Sequence, residues 1–268
     1  MKKTIAIIIL FIFAFHKINA QQHIDNMQLK CLYKYNYTPR VKTTTDIEID
    51  TMMLEIGNKS CKFYSYHNYI VDSIRSNSDR GTWMLYKSTD NSYNLYINYP
   101  ANKVTVTDNA MGTMSHFEYM ENFEIQKWNI INETQKILGH NCKKATCRFR
   151  GRDYIAWYAT DIPISRGPYK FAGLPGLILK ISDTENLYDF ECIAIEKNNK
   201  PIYKGYKYKE DIKTVSTTRE EFISMEKRYC ENPKAITEAL FKSQGMNFDD
   251  IRDLVPDNKK LTYHQMEF

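Results

Sequence analysis

The stretch MQLKCLYKYNYT alternates strictly. Met27, Leu29, Cys31, Tyr33, Tyr35 and Tyr37 share one parity, while Lys30, Lys34 and Asn36 occupy the other. A period of two sends alternate side chains to opposite faces of a strand, so this segment reads as a half-buried strand. The same style recurs along the chain. TDIEIDTMMLEIG carries Ile47 and Ile49, then Met52, Leu54 and Ile56, and the slip of parity between them predicts a bulge or short turn. SCKFYSY, TWMLYKS, NSYNLYINYP, NKVTVTD, TMSHFEYME and FEIQKWNIIN follow, separated by Asx-rich and glycine-containing turns. Strands at regular short spacing are the mark of an all-β body. Twenty tyrosines and thirteen phenylalanines against ten glycines fit strands with aromatic faces.

The period changes near the end. Thr218, with Glu221 three residues later, has the form of a capping box. Phe222, Met225 and Tyr229 then fall at helical spacing, and Asn232-Pro233 predicts a second helix start. Ile236, Ala239 and Leu240 form its apolar stripe, and Gly245 its stop. A short helix is also expected within NYIVDSIRSNSDRG. The predicted fold class is mainly β, a β-rich α+β chain. It is a large curved antiparallel sheet or open barrel with C-terminal helices, in one domain over 21–268 whose helical tail runs about 217–250. In outline it resembles periplasmic lipoprotein-carrier folds.

Residues 1–20 stand apart. A basic start, Lys2-Lys3, precedes the apolar run Ile5 to Phe15, and Ala20 is a small residue at a cleavage point. That pattern is a secretory signal peptide, and its run is too short to span a bilayer as a helix. The mature chain is therefore expected to be exported, to the periplasm or beyond, with no membrane span. The leader holds three lysines and no acids, so 37 basic and 32 acidic residues become 34 and 32. A balance of +2 gives no field for nucleic acid. The Tyr-Lys alternation from Tyr203 to Glu210 has two readings, a glycan- or polyanion-binding strand and a lysine-guarded edge strand.

Cys31, Cys61, Cys142, Cys147, Cys192 and Cys230 are an even set in an exported chain, which predicts disulfides. Cys142 and Cys147 are the pair argued against. An odd spacing on a strand puts them on opposite faces, roughly 17 Å apart. Their spacing is not that of a zinc knuckle and no histidine pair completes a site, so no metal and no cofactor is expected.

DIPISRGPYKFAGLPG, residues 161–176, is a long irregular connection with three prolines and three glycines. Loops of this length are functional or specially packed. Pro175-Gly176 predicts a type II turn, with positive φ at Gly176, leading into a strand buried on both faces at Leu177, Ile178 and Leu179. The loop has neither the lysine of a phosphate cradle nor the serine of a nucleophile elbow. Its candidate ligand- or partner-contacting residues are Asp161, Pro163, Arg166, Gly167, Pro168, Phe171, Gly173, Leu174, Pro175 and Gly176. Near it stand His140, Cys142 and Arg152. A Cys–His nucleophilic pair needs direct contact, and residues two apart on a strand are about 7 Å apart.

The string Gly173 to Ile178, with Gly139, Cys142, Lys144-Ala145, Gly151-Arg152, Trp157, Asp161-Ile162-Pro163 and Gly167-Pro168 upstream, resembles the GLPGLI family of exported Bacteroidetes proteins. The resemblance covers roughly residues 128–183. It implies a secreted or periplasmic β-rich protein from a Gram-negative source, and supplies no activity. The function expected from the residues is a non-catalytic binding or carrier protein of the cell envelope, holding an apolar ligand against its aromatic sheet. A module docking a protein partner through the 161–176 loop is one alternative. A hydrolase built on Asp161 or His140 is the other.

Overall fold

The computed structural model describes residues 21–38, 41–42, 47–78, 88–109, 116–205, 214–243, 247, 249, 252 and 262–263. The leader, the segment TWMLYK, most of the Tyr-Lys stretch and Gly245 lie outside these residues.

Strands dominate. They are β1 (Gln22–Tyr37), β2 (Val41–Lys42), β3 (Glu48–Gly57), β4 (Cys61–Ser65), β5 (Asn94–Ile97), β6 (Lys103–Asn109), β7 (His116–Asn122), β8 (Asn129–Ile137), β9 (His140–Phe149), β10 (Arg152–Ala159), β11 (Leu177–Asp183), β12 (Tyr188–Lys197), β13 (Pro201–Lys204), β14 (Thr214–Ser216) and β15 (Thr262–Tyr263). Helix α1 (Tyr66–Ser76) follows β4, and α2 (Arg219–Glu231) and α3 (Pro233–Ser243) follow β14. One 13-stranded sheet runs in the order β14-β7-β6-β5-β4-β3-β1-β12-β11-β10-β9-β8, with β13 paired to β1 beyond that path. Its ladders are antiparallel except β14 on β7. The sheet is open: no ladder joins β8 to β14 or β7 among the described residues.

Strand β1 is the centre of the sheet, and its alternation reads as expected. Met27, Leu29, Cys31, Tyr33, Tyr35 and Tyr37 are all buried. All but Met27 join residues of both halves of the sheet, from Phe63 and Leu95 to Tyr158 and Phe190, in one core. Tyr35 stacks on Phe190 at 3.9 Å between ring centroids, and the Tyr33 hydroxyl donates to the Ile178 carbonyl at 2.8 Å. Leu177, Ile178 and Leu179 are each fully buried, as a strand covered on both faces requires.

The parity slip in β3 has a different cause from the one expected. The strand is continuous, and its ladder to β1 runs unbroken from Glu48 to Ile56. Ile47 and Ile49 are exposed, and the buried side chain at the start of the strand is Asp50. The helices follow their sequence signals closely. Both hydrogen bonds of the Thr218–Glu221 capping box form, and the Ala235 N–H donates to the Asn232 side chain.

The two arms of the sheet curl until β7 meets the β9–β10 turn. A buried carboxylate, Glu121 of β7, marks the meeting point. Arg150 of that turn approaches it at 2.9 Å, Lys170 of the 161–176 loop at 2.5 Å, and Arg219 at the start of α2 at 3.5 Å. Three cations share Glu121, and Glu124, at 3.7 Å from Arg150, replaces it for one of them only, so removing Glu121 costs about 3 kcal/mol. Glu121→Ala should therefore lower Tm by on the order of 10 °C for a chain of this size. Glu133→Ala, which removes the exposed Lys144–Glu133 pair, should leave Tm nearly unchanged. Equal shifts in a thermal melt would show that the Glu121 cluster is not the clamp.

Candidate functional site

The 161–176 loop is mostly interior. Phe171 packs against Tyr154 at 4.7 Å and Phe149 at 5.6 Å, and Leu174 is equally buried. Gly167 and Pro168 are buried too, with Gly167 against Ile178. Segment 123–128 holds the loop from outside. Trp128 donates from Nε1 to the Ala172 carbonyl, and Gln126 accepts from the Ala172 N–H and donates to the Lys170 carbonyl. Arg166 is half-buried over the Phe123 ring. Asp161, Pro163, Gly173 and Pro175 are the candidates that remain exposed.

The glycine chemistry differs from the expected turn. Gly173, not Gly176, has positive φ, at +99°. Gly176 is required by close approach: a Cβ there would lie 2.1 Å from the Ala159 carbonyl oxygen. No other residue lets β11 leave the loop so near β10. Phe171 and Leu174 thus belong to the hydrophobic core itself.

His140 and Asp161, which sequence spacing alone does not pair, are in contact. Nδ1 lies 2.7 Å from the Asp161 carboxylate. The hydrogen bond from His140 holds the Asp161 carboxyl below its usual range. The contact ties the β8–β9 turn to the head of the loop. It does not build the Cys–His pair. The Cys142 thiol donates to the His140 carbonyl oxygen at 3.7 Å, and burial pushes it up to about 11. A neutral, buried thiol is a poor nucleophile. Arg152 is committed elsewhere, to Asp183 at 3.1 Å and Glu185 at 2.8 Å.

The expected disulfides do not form. All six cysteines are free and buried. Five serve as small apolar side chains in the strand core, and Cys230 does so on α2. Cys142 and Cys147 differ in parity, as argued from spacing. The Cys192 thiol beside Cys31, and then burial, push the Cys31 thiol well up. Burial takes Cys147 up to about 12 and Cys230 to about 11. No group of three metal-ligating side chains occurs among the described residues.

A different site emerges around α1, and it begins with Asp50. Its carboxylate accepts from the Ser65 hydroxyl at 3.2 Å, the Thr89 hydroxyl at 2.8 Å, the Asn91 amide at 3.0 Å and the Thr51 N–H. Ser65 also caps α1, accepting from the Asn68 N–H at 3.0 Å. Asn68 in turn bonds the backbone of Thr89 and Asn91 with its whole amide. One buried acid therefore fixes the end of β4, the start of α1 and the segment 88–92. Between them lies a cavity of about 160 Å³. Tyr64, Tyr69 and Tyr93 line it, with Lys62, Asp72, Asn94 and Asn109 among the polar groups. Burial lowers the Lys62 ammonium, although Glu55 across the strand pair opposes this. Lys62 lies over the Tyr64 and Tyr96 rings, at 4.8 and 5.7 Å from their centroids. Tyr93 also meets Tyr169 edge-on at 5.9 Å, which joins the cavity wall to the buried loop. The sequence signal for this site was the parity slip at Asp50 itself.

Two outcomes check this geometry. Asp50→Asn keeps the volume but loses the charge that three side-chain donors share. It should cost about 2 kcal/mol by chemical denaturation, with lost helical signal from α1. Iodoacetamide should modify none of the cysteines in brief treatment of the native protein at pH 8, and all six after unfolding without reductant. Fewer than six would reveal disulfides.

The comparisons with known proteins come to fold and family fragment. A family described as "Protein of unknown function (Porph_ging)" matches residues 150–180, from the β9–β10 turn into β11. No curated protein matches the chain. Two solved structures of PNGF-II, from two crystal forms, are each similar at 16% identity. They cover 74% and 75% of this chain with TM-scores of 0.50 and 0.51. The chain spans only 33% of the length of those proteins, and at that identity the likeness concerns the fold alone.

Proposed function

We propose that the protein is an exported, non-catalytic binding protein of the cell envelope, and that its ligand sits in the α1 cavity. The observation that carries this is the Asp50 network. A buried acid satisfying Ser65, Thr89 and Asn91 builds a rigid polar wall beside an open space. Preformed clefts with tyrosine walls and few convergent polar groups are the usual form of small-ligand sites. The apolar-carrier form of this reading has less support, because Phe171 and Leu174 are buried in the hydrophobic core. The 150–180 match contains Gly173–Ile178, and we take the chain as a member of the GLPGLI family of exported proteins on that basis. Docking of an envelope partner would be confined to the exposed rim of the loop, at Asp161, Pro163, Gly173 and Pro175. A hydrolase built on Asp161 or His140 has their 2.7 Å contact in its favour, but the buried Cys142 thiol offers it no nucleophile.

Native mass spectrometry of the purified protein tests the binding reading. A small-molecule adduct should accompany the wild type and be missing from Asn109→Trp, which fills the cavity, at unchanged Tm. An adduct retained in that variant would put the ligand elsewhere. Chemical conversion of the bound molecule would overturn the non-catalytic assignment.

A further inference from the structure

The lining of the α1 cavity sorts into groups that are already used and groups that are not. Asn68 and Asn91 are spent on the 88–92 segment and Asp50. The Ser92 hydroxyl donates to Asp108 at 2.6 Å, Ser88 accepts from Arg75, and Tyr64 donates to Glu55. Asp72 already engages a neighbour. Three side chains of the lining differ. The side-chain amides of Asn109 and Gln21 make no hydrogen bond among the described residues, and the Lys62 ammonium, set over the Tyr64 and Tyr96 rings and drawn by Glu55, makes none either; all three line the cavity. An ammonium supplies donors only, and an amide supplies both donors and an acceptor. Around them stand tyrosine rings, Tyr69 and Tyr93, each half-buried.

We infer that the cavity takes one pyranose ring of a saccharide, its C–H face against the tyrosine rings and its hydroxyls bonded by Lys62, Asn109 and Gln21. This rests on the binding reading above and names its ligand class. Several observations select it. At about 10–15 Å³ per water by the same measure, the volume of about 160 Å³ holds on the order of ten waters. That leaves room for a single sugar ring. A phosphate-rich ligand needs converging cations, and the lining holds one cation and one carboxylate. A zwitterionic amino acid needs an uncommitted carboxylate for its ammonium, and Asp72 is engaged. Aromatic faces offer apolar area at little entropy cost, while hydroxyls that donate and accept match the free amides.

Saturation-transfer NMR on the full chain tests the assignment with five probes: glucose, N-acetylglucosamine, cellohexaose, tyrosine and palmitate. At least one sugar should bind, at a Kd on the order of 1 mM, as expected for so small a ligand. Tyr69→Ala and Lys62→Met should each weaken it about tenfold or more, while Tyr69→Phe, which keeps the ring, retains binding. Thermal melts check that each variant is folded. A hexamer bound more tightly than glucose would support a polymeric glycan as the source, and equal binding a free sugar. If tyrosine or palmitate binds in a Tyr69-dependent way and no sugar does, the saccharide assignment is wrong and the cavity still a binding site. If no probe binds the folded wild type, both readings fall. Sugar binding unaffected by Tyr69→Ala and Lys62→Met overturns the site.

Discussion

Three cations converge on one buried carboxylate, and the curl of the sheet depends on it. Arg150, Lys170 and Arg219 come from a hairpin turn, a long loop and a helix start that are remote in sequence. Glu121 gives each of them the same partner. A flat sheet of this many strands would expose the tyrosine face of β1 to water, and aromatic side chains of that size dominate core energetics. Curling the sheet brings that face into one core with Phe190, Phe171 and Leu174, and the ionic cluster holds β7 against the β9–β10 turn in that arrangement. The pairing is specific because any other arrangement takes from all three cations the buried acid that they share.

Asp50 does on one flank what Glu121 does between the arms. It sits where hydrophobic patterning expects an isoleucine, and it is kept there by four donors. The result is a wall whose polar groups are satisfied from behind and a cavity in front. The two features communicate through tyrosines. Tyr93 touches Phe63 in the core, Tyr169 in the loop, and the cavity itself.

The division between legible and illegible follows the range of the interactions. The strand alternation of β1, the capping box at Thr218 and the restart at Pro233 depend on neighbours a few residues away, and all three were readable. The placement of β8 at residues 129–137, which takes in only the end of FEIQKWNIIN, was not. Its residues are largely exposed on an edge, so no hydrophobic period marks its ends. The loop residues stand out in the sequence, but the burial of Phe171 and Leu174 does not. Phe171 and Leu174 look like exposed anchors in a proline- and glycine-rich stretch, because only the curled sheet supplies the pocket that they fill. The cavity residues escaped notice altogether, since Lys62, Tyr69, Tyr93 and Asn109 are ordinary in their own strands and helix.

By itself the sequence determined the strand-rich class, the helical tail and the tightness of the corner before β11. These follow from periodicity, capping and the geometry of glycine, which act locally. Only the tertiary structure decided that six cysteines are free core residues, that Phe171 and Leu174 of the signature loop belong to the core, that Gly176 is needed for contact instead of φ, and that Asp50 and Glu121 are buried. Each of those outcomes depends on which distant strands meet, and desolvated charges and close backbone approaches have energies that no local pattern encodes.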